Sequence, residues 1–163
     1  MNLRSARFAT IGLGAAMLAT AFAGCGGGDS DGLAKDDYIA QANQICADFK
    51  NGSAENEAAF TEAIQSNDLD AAASAFEKNG EEIGAAVEEF SQIDPPSEDQ
   101  ATIDEFVALS RKQVDLAGET ADAIRNNDEQ AFKELADESS QADEEADAIA
   151  DEYGLLGCGS ADG

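Results

Sequence analysis

This 163-residue chain contains no histidine, so acid–base or nucleophilic chemistry would fall to carboxylates, lysines or tyrosines. That removes imidazole acid–base catalysis, the common serine and cysteine triads and the usual zinc ligand sets. Two groups of residues remain. Ser53, Asn56, Asn79, Gln113 and Ser139 are polar and interrupt apolar periodic stretches. The other group is acidic: Glu81-Glu82, Glu88-Glu89, Asp143-Glu144-Glu145 with Asp147, and Asp151-Glu152. Carboxylates at i, i+3 and i+4 share a helix face and can hold a hard cation. They are equally the solvated outside of any acidic helical protein. Asp29-x-Asp31 lacks the glycine and the terminal glutamate of a calcium loop, and helical di-metal sites need Glu-x-x-His. The expectation is neither a metal nor a cofactor.

The elements that must position these residues are four helices. Tyr38, Ala42, Ile45, Phe49, Asn56, Phe60 and Ala63 recur at about 3.5-residue spacing, Ser53 filling the gap, which predicts a helix from Lys35 to Ser66. Asn51-Gly52-Ser53 is its weak point, where it either kinks or splits. Asn67-Asp68 is a turn, and Asp68 caps a second helix running to about Gln92, with Leu69, Ala72, Phe76, Asn79, Ile83, Val87 and Phe90 on one face. Asp94-Pro95-Pro96 ends it. Ser97 with Gln100 reads as a capping box for a third helix carrying Ile103, Phe106, Ser110, Gln113, Ala117 and Ile124. Asn126-Asn127-Asp128 repeats the earlier turn. The fourth helix shows Phe132, Leu135, Ser139, Ala142, Ala146, Ile149 and Tyr153, with Gly154 as a left-handed cap. The two turns, Ala63 to Asp68 and Ala123 to Asp128, resemble each other in sequence. They are either a duplicated hairpin or two turns that converged on one cap chemistry.

No alternating pattern competes, so the fold class is all-α: an antiparallel up-down four-helix bundle made of two helical hairpins. In that bundle the polar interruptions share a level. Asn56 stands as far before Asn67 as Asn79 and Ser139 stand after Asp68 and Asp128. Ser53 and Gln113 lie slightly farther from their turns, at matching distances. Such a layer lines a small internal pocket or a buried water site, or else it fixes helix register. Tyr38 and Tyr153 are expected at the base as an aromatic seal.

The segment from Met1 to Gly24 has another character. Arg4 and Arg7 precede an uncharged, alanine-rich run from Phe8 to Ala23, then small residues and Cys25. This is the layout of an export signal, too short to span a bilayer comfortably. Phe22-Ala23-Gly24-Cys25 resembles the lipobox of bacterial lipoproteins, with Phe22 where an aliphatic residue is usual. The resemblance implies that Cys25 carries a diacylglycerol and becomes the first mature residue. An ordinary signal with Cys25 merely nearby is the alternative. Residues 25–33 read as a glycine- and aspartate-rich tether, and 34–163 as one helical domain. The chain's formal charge is −26, and losing both signal arginines makes it more negative. This argues against nucleic acid or anionic lipid head groups as partners.

If Cys25 carries lipid, Cys46 and Cys158 remain. In an exported protein such a pair is most simply a disulfide. The topology accommodates it. Cys46 lies about 31 Å below the first turn and Tyr153 about 37 Å below the second, at 1.5 Å per residue. The chain after Gly154 then doubles back toward Cys46. Asp37 to Cys46 and Tyr153-Gly154-Leu155-Leu156-Gly157-Cys158-Gly159 also resemble small exported helical proteins of actinobacteria. These pair a first-helix cysteine with a terminal Tyr-Gly-aliphatic-x-x-Cys-Gly. That resemblance implies the disulfide and the all-helical fold, and no activity.

The functional expectation is a non-enzymatic, exported lipoprotein, anchored through Cys25 to the outer face of the cytoplasmic membrane. There it docks an envelope protein. The alternative is an envelope module that binds a small ligand or cation, using the polar layer or the acidic faces.

Overall fold

The computed structural model describes residues 32–160. The export signal, Cys25 and most of the expected tether lie outside the described residues. Four helices follow in order: α1 (Lys35–Ser66), α2 (Leu69–Phe90), α3 (Gln100–Arg125) and α4 (Glu129–Tyr153). No strand occurs among the described residues. α1 runs unbroken through Asn51-Gly52-Ser53.

The two matching turns are built the same way. Asn67 and Asn127 adopt the left-handed conformation, at φ 56° and 51°. Asp68 N–H donates to Ala63 O at 2.9 Å and Asn67 N–H to Ile64 O at 3.2 Å. Asp128 N–H donates to Ala123 O at 2.9 Å and Asn127 N–H to Ile124 O at 3.0 Å. Each pair satisfies the last carbonyls of the preceding helix. Each aspartate then caps the next helix, accepting from Ala71 N–H and Ala131 N–H at 3.0 Å.

The start of α3 departs from expectation. Ser97 does not cap it; Asp99 is the N-cap residue and its side chain makes no cap hydrogen bond. The Asp99 carboxylate is committed elsewhere, accepting from the Tyr153 hydroxyl at 2.8 Å and lying 3.3 Å from Lys35 Nζ. Gln100 turns forward to Asp104 rather than back. A tertiary tie between α3, α4 and α1 has displaced the local cap.

α1 packs on α2, α2 on α3 and α3 on α4. Gly80 brings α2 and α3 close, because any Cβ there would press on Ala117. Among the described residues α1 and α4 do not pack helix on helix. The bundle therefore keeps the up-down order but is open along one seam. Its apolar interior falls in two parts. Near the turns, Ala63, Ala72, Ala73, Ala121 and Ile124 gather with Phe60, Phe76 and Phe132. At the other end, Tyr38, Phe90, Ile103, Phe106, Tyr153 and Leu155 form the larger cluster. Tyr38 meets Phe90 and Tyr153 edge-on, with centroids 5.9 and 6.1 Å apart, giving the aromatic seal. Leu33 N–H donates to Asp94 O at 2.9 Å, which holds the incoming chain beside this end.

Candidate functional site

The site is assembled from its floor upward. Gly154 ends α4 at φ 98°, a conformation that favours glycine, and the chain turns back toward α1. Leu155 is fully buried in the basal cluster. Gly157 lies so close to α1 that a Cβ would stand 3.0 Å from Asn43 O. The Asn43 side chain clasps this strap from both sides. Its Oδ1 accepts from Gly157 N–H at 2.9 Å, and its Nδ2 donates to Gly154 O at 3.4 Å. One helical turn on, Cys46 is bonded to Cys158, with Cα atoms 5.1 Å apart. The strap thus ties α4 to α1 covalently, beside the basal side-chain contact of Tyr38 with Tyr153.

Above this floor is a cavity of about 400 Å³ reached by all four helices. Phe49, Ile83, Val87, Phe90, Phe106 and Val107 supply apolar wall, and the Cys46–Cys158 bridge closes the lower end. Asn79, Gln113 and Ser139 stand at the upper end. They are shared with a second hollow of about 350 Å³ between α2, α3 and α4, below Phe76 and Phe132. The polar layer therefore separates two apolar volumes.

Of the five residues expected in that layer, three meet at the cavity. Gln113 Nε2 donates to Ser139 O at 2.9 Å, and the Ser139 hydroxyl donates to Gln113 Oε1 at 2.7 Å, tying α3 to α4. Asn79 faces the same space. Asn56 and Ser53 do not. Buried Asn56 turns to α2, donating to Glu82 Oε2 at 2.6 Å, and Ser53 bonds back to Lys50 O at 3.2 Å. Counting residues from a turn gives height along a helix but not the direction of the side chain. Asn56 is on the α1–α2 contact rather than on the open seam. Sequence reasoning missed the Asn43 clasp and Lys50, and it named Asp143 and Asp147 as part of an acidic cluster without placing them at a cavity. Asn43 had one available signal: it sits one turn before Cys46, on the side that a returning chain must reach.

The rim is charged. Asp143 and Asp147 from α4 and Lys50 from α1 line the cavity on the side of the open seam. The Asp147 carboxyl is raised above its ordinary value by burial, then by Asp143 and Asp151, while Lys50 pulls it down. Below the floor, burial pushes the Tyr38 hydroxyl well up, and that hydroxyl has no hydrogen-bond partner. Burial, and then the hydrogen bond to Asp99, does the same to Tyr153.

Comparisons with family models, curated proteins and solved structures return no match. The geometry alone carries the reading. The two hydroxyls in the cavity each donate to a carbonyl oxygen, Ser139 to the Gln113 amide and Ser110 to Phe106 O. Neither is held by a base, which nucleophilic attack by a hydroxyl needs. Among the described residues no three acidic or sulfur side chains converge to hold a metal ion. The acidic clusters lie mainly on exposed faces, and Glu82 is taken up by Asn56 and Lys78. What the arrangement offers is an apolar chamber with amides at its upper end and charges at its rim. Ligand sites commonly have that composition.

Proposed function

We propose that this protein is a non-enzymatic binding module of the cell envelope, tethered through lipid on Cys25, and that it holds a small amphipathic molecule inside the bundle. The observation that carries this reading is the cavity of about 400 Å³ between all four helices. Its size falls within the range of small-molecule sites, about 300–1,000 Å³. The protein-docking reading has less support. The exposed large apolar side chains among the described residues are Ile64, by the first turn, and Leu156, on the strap. They are too far apart to form one patch.

The experiment is a thermal melt of the disulfide-intact protein against a panel of small amphipathic compounds. A ligand of the cavity raises the melting temperature progressively once its concentration exceeds the dissociation constant. The variant Ala86→Phe places a ring in the same space and should lose that rise while remaining folded. A panel without any concentration-dependent shift, or shifts unchanged in Ala86→Phe, would count against the cavity as the binding site. The tether has its own test. Intact mass of the membrane-extracted protein should show a diacylglycerol on Cys25 as the first residue, and a chain starting elsewhere would remove that part of the proposal.

A further inference from the structure

The rim of the cavity is not electrically balanced. Asp143 and Asp147 stand one turn apart on α4, and Lys50 is the single basic side chain on the cavity wall. Neither aspartate forms an ion pair among the described residues, whose bridges join Lys35, Lys78, Lys112 and Arg125 to other acids. Lys50 is too far from Asp147 to form a salt bridge, although it lowers that carboxyl. With two carboxylates against one ammonium on the wall, the surplus at the rim is negative. Just inside, the wall is aromatic and aliphatic, with Phe49, Val87, Phe90 and Phe106.

We infer that the cavity takes a small organic monocation, its apolar body among Phe49, Val87, Phe90 and Phe106 and its ammonium group between Asp143 and Asp147. The inference rests on the ligand-binding reading above and adds the ligand's charge and orientation. Charge complementarity decides between the candidates. An anionic head would face two carboxylates. A neutral head would desolvate Asp147 without compensating it. A bare divalent ion would leave the apolar wall uncovered, and the donor set for it does not converge. An ammonium satisfies the rim, and its carbon skeleton covers the wall.

The test uses three compounds with one skeleton: 4-phenylbutylamine, 4-phenylbutan-1-ol and 4-phenylbutanoate. Each is titrated calorimetrically into the disulfide-intact protein at fixed ionic strength. The expected order is amine tightest, alcohol about tenfold weaker or more, and carboxylate weaker again. Asp143→Asn with Asp147→Asn should bring the amine down to the level of the alcohol. Glu144→Gln with Glu145→Gln removes the same charge from the exposed outside of α4 and should leave the preference in place. Lys50→Met should tighten the amine several-fold, because it removes a repelling charge. Equal affinity for amine and alcohol would overturn the assignment of a cation while leaving the cavity as a binding site. No binding of any compound would overturn both. Equal losses in the two double variants would assign the preference to the chain's overall charge, which also overturns the inference.

Discussion

Replacing Cys46 and Cys158 together with serine removes the one covalent tie across the open seam. The bridge spans a sequence separation of 112 residues. On the chain-entropy model, closing a loop of that length restricts the unfolded chain by about 4–5 kcal/mol. Domains of this size are stable by about 5–15 kcal/mol, so the loss is a large fraction of the whole. The folded state should survive it at low temperature. Leu155 remains fully buried and Asn43 still clasps Gly154 and Gly157. Burying one leucine contributes about 1.5–3 kcal/mol. Urea denaturation followed by circular dichroism is the assay. The serine variant should unfold at a markedly lower midpoint, with a steeper denaturant dependence because its unfolded chain is less compact. The melting temperature should fall by about 15–20 °C, at a few degrees per kcal/mol. A loss below about 1 kcal/mol would refute the reasoning. It would mean that the basal contacts between α1 and α4, Tyr38 with Tyr153 among them, hold the seam without the bridge.

Three further outcomes follow from the same geometry. Leu155→Ala should cost about 2–5 kcal/mol with the bridge intact, and it should speed reduction of Cys46–Cys158 by dithiothreitol; an unchanged reduction rate would detach the strap from control of the bridge. Asp147→Asn should stabilise the fold at pH 7 by about 0.5–1 kcal/mol, the repulsion expected from two like-charged neighbours one turn away. The folded-state value of Asp147 is raised above its unfolded one, so its contribution is fully present below the ordinary carboxylate range and is lost as pH rises through the raised value. The gain in Asp147→Asn should therefore vanish by about pH 3, and urea midpoints that differ equally at both pH values would contradict that sign. Ala86→Phe should change stability by no more than about 1 kcal/mol, because the ring enters space that is already free; a large loss in urea denaturation would show that the cavity is filled by rearranged side chains.

Much of the scaffold was legible in the sequence because it is written in short-range chemistry. Asp68 and Asp128 cap the helices they precede, Gly154 turns left-handed after Tyr153, and the helix ends fall where those signals stand. The pairing of Cys46 with Cys158 was read by setting Cys25 aside for lipid, and the up-down topology accommodates it. Two kinds of information were not local. Ser97 and Gln100 form a sound capping pattern, yet the chain places Asp99 at the cap and uses its carboxylate for Tyr153 and Lys35. A tertiary contact outweighed a local one. The polar layer was found at the correct height and only partly in the correct direction. Gln113 and Ser139 meet, whereas Asn56 is drawn to Glu82 on the adjoining helix. The open α1–α4 seam, and the cavity that depends on it, come from how the four stripes fit together. A single stripe does not record its partner's angle.

Intermolecular nuclear Overhauser effects with bound 4-phenylbutylamine test the central claim most directly, because they report which protons lie against the ligand. Contacts from its phenyl ring to the Val87 and Val107 methyl groups and to the Phe49 and Phe106 rings are predicted, with the methylene beside nitrogen near Asp147. Contacts confined to the outer acidic faces of the helices, or none to those four side chains, would contradict a ligand chamber inside the bundle.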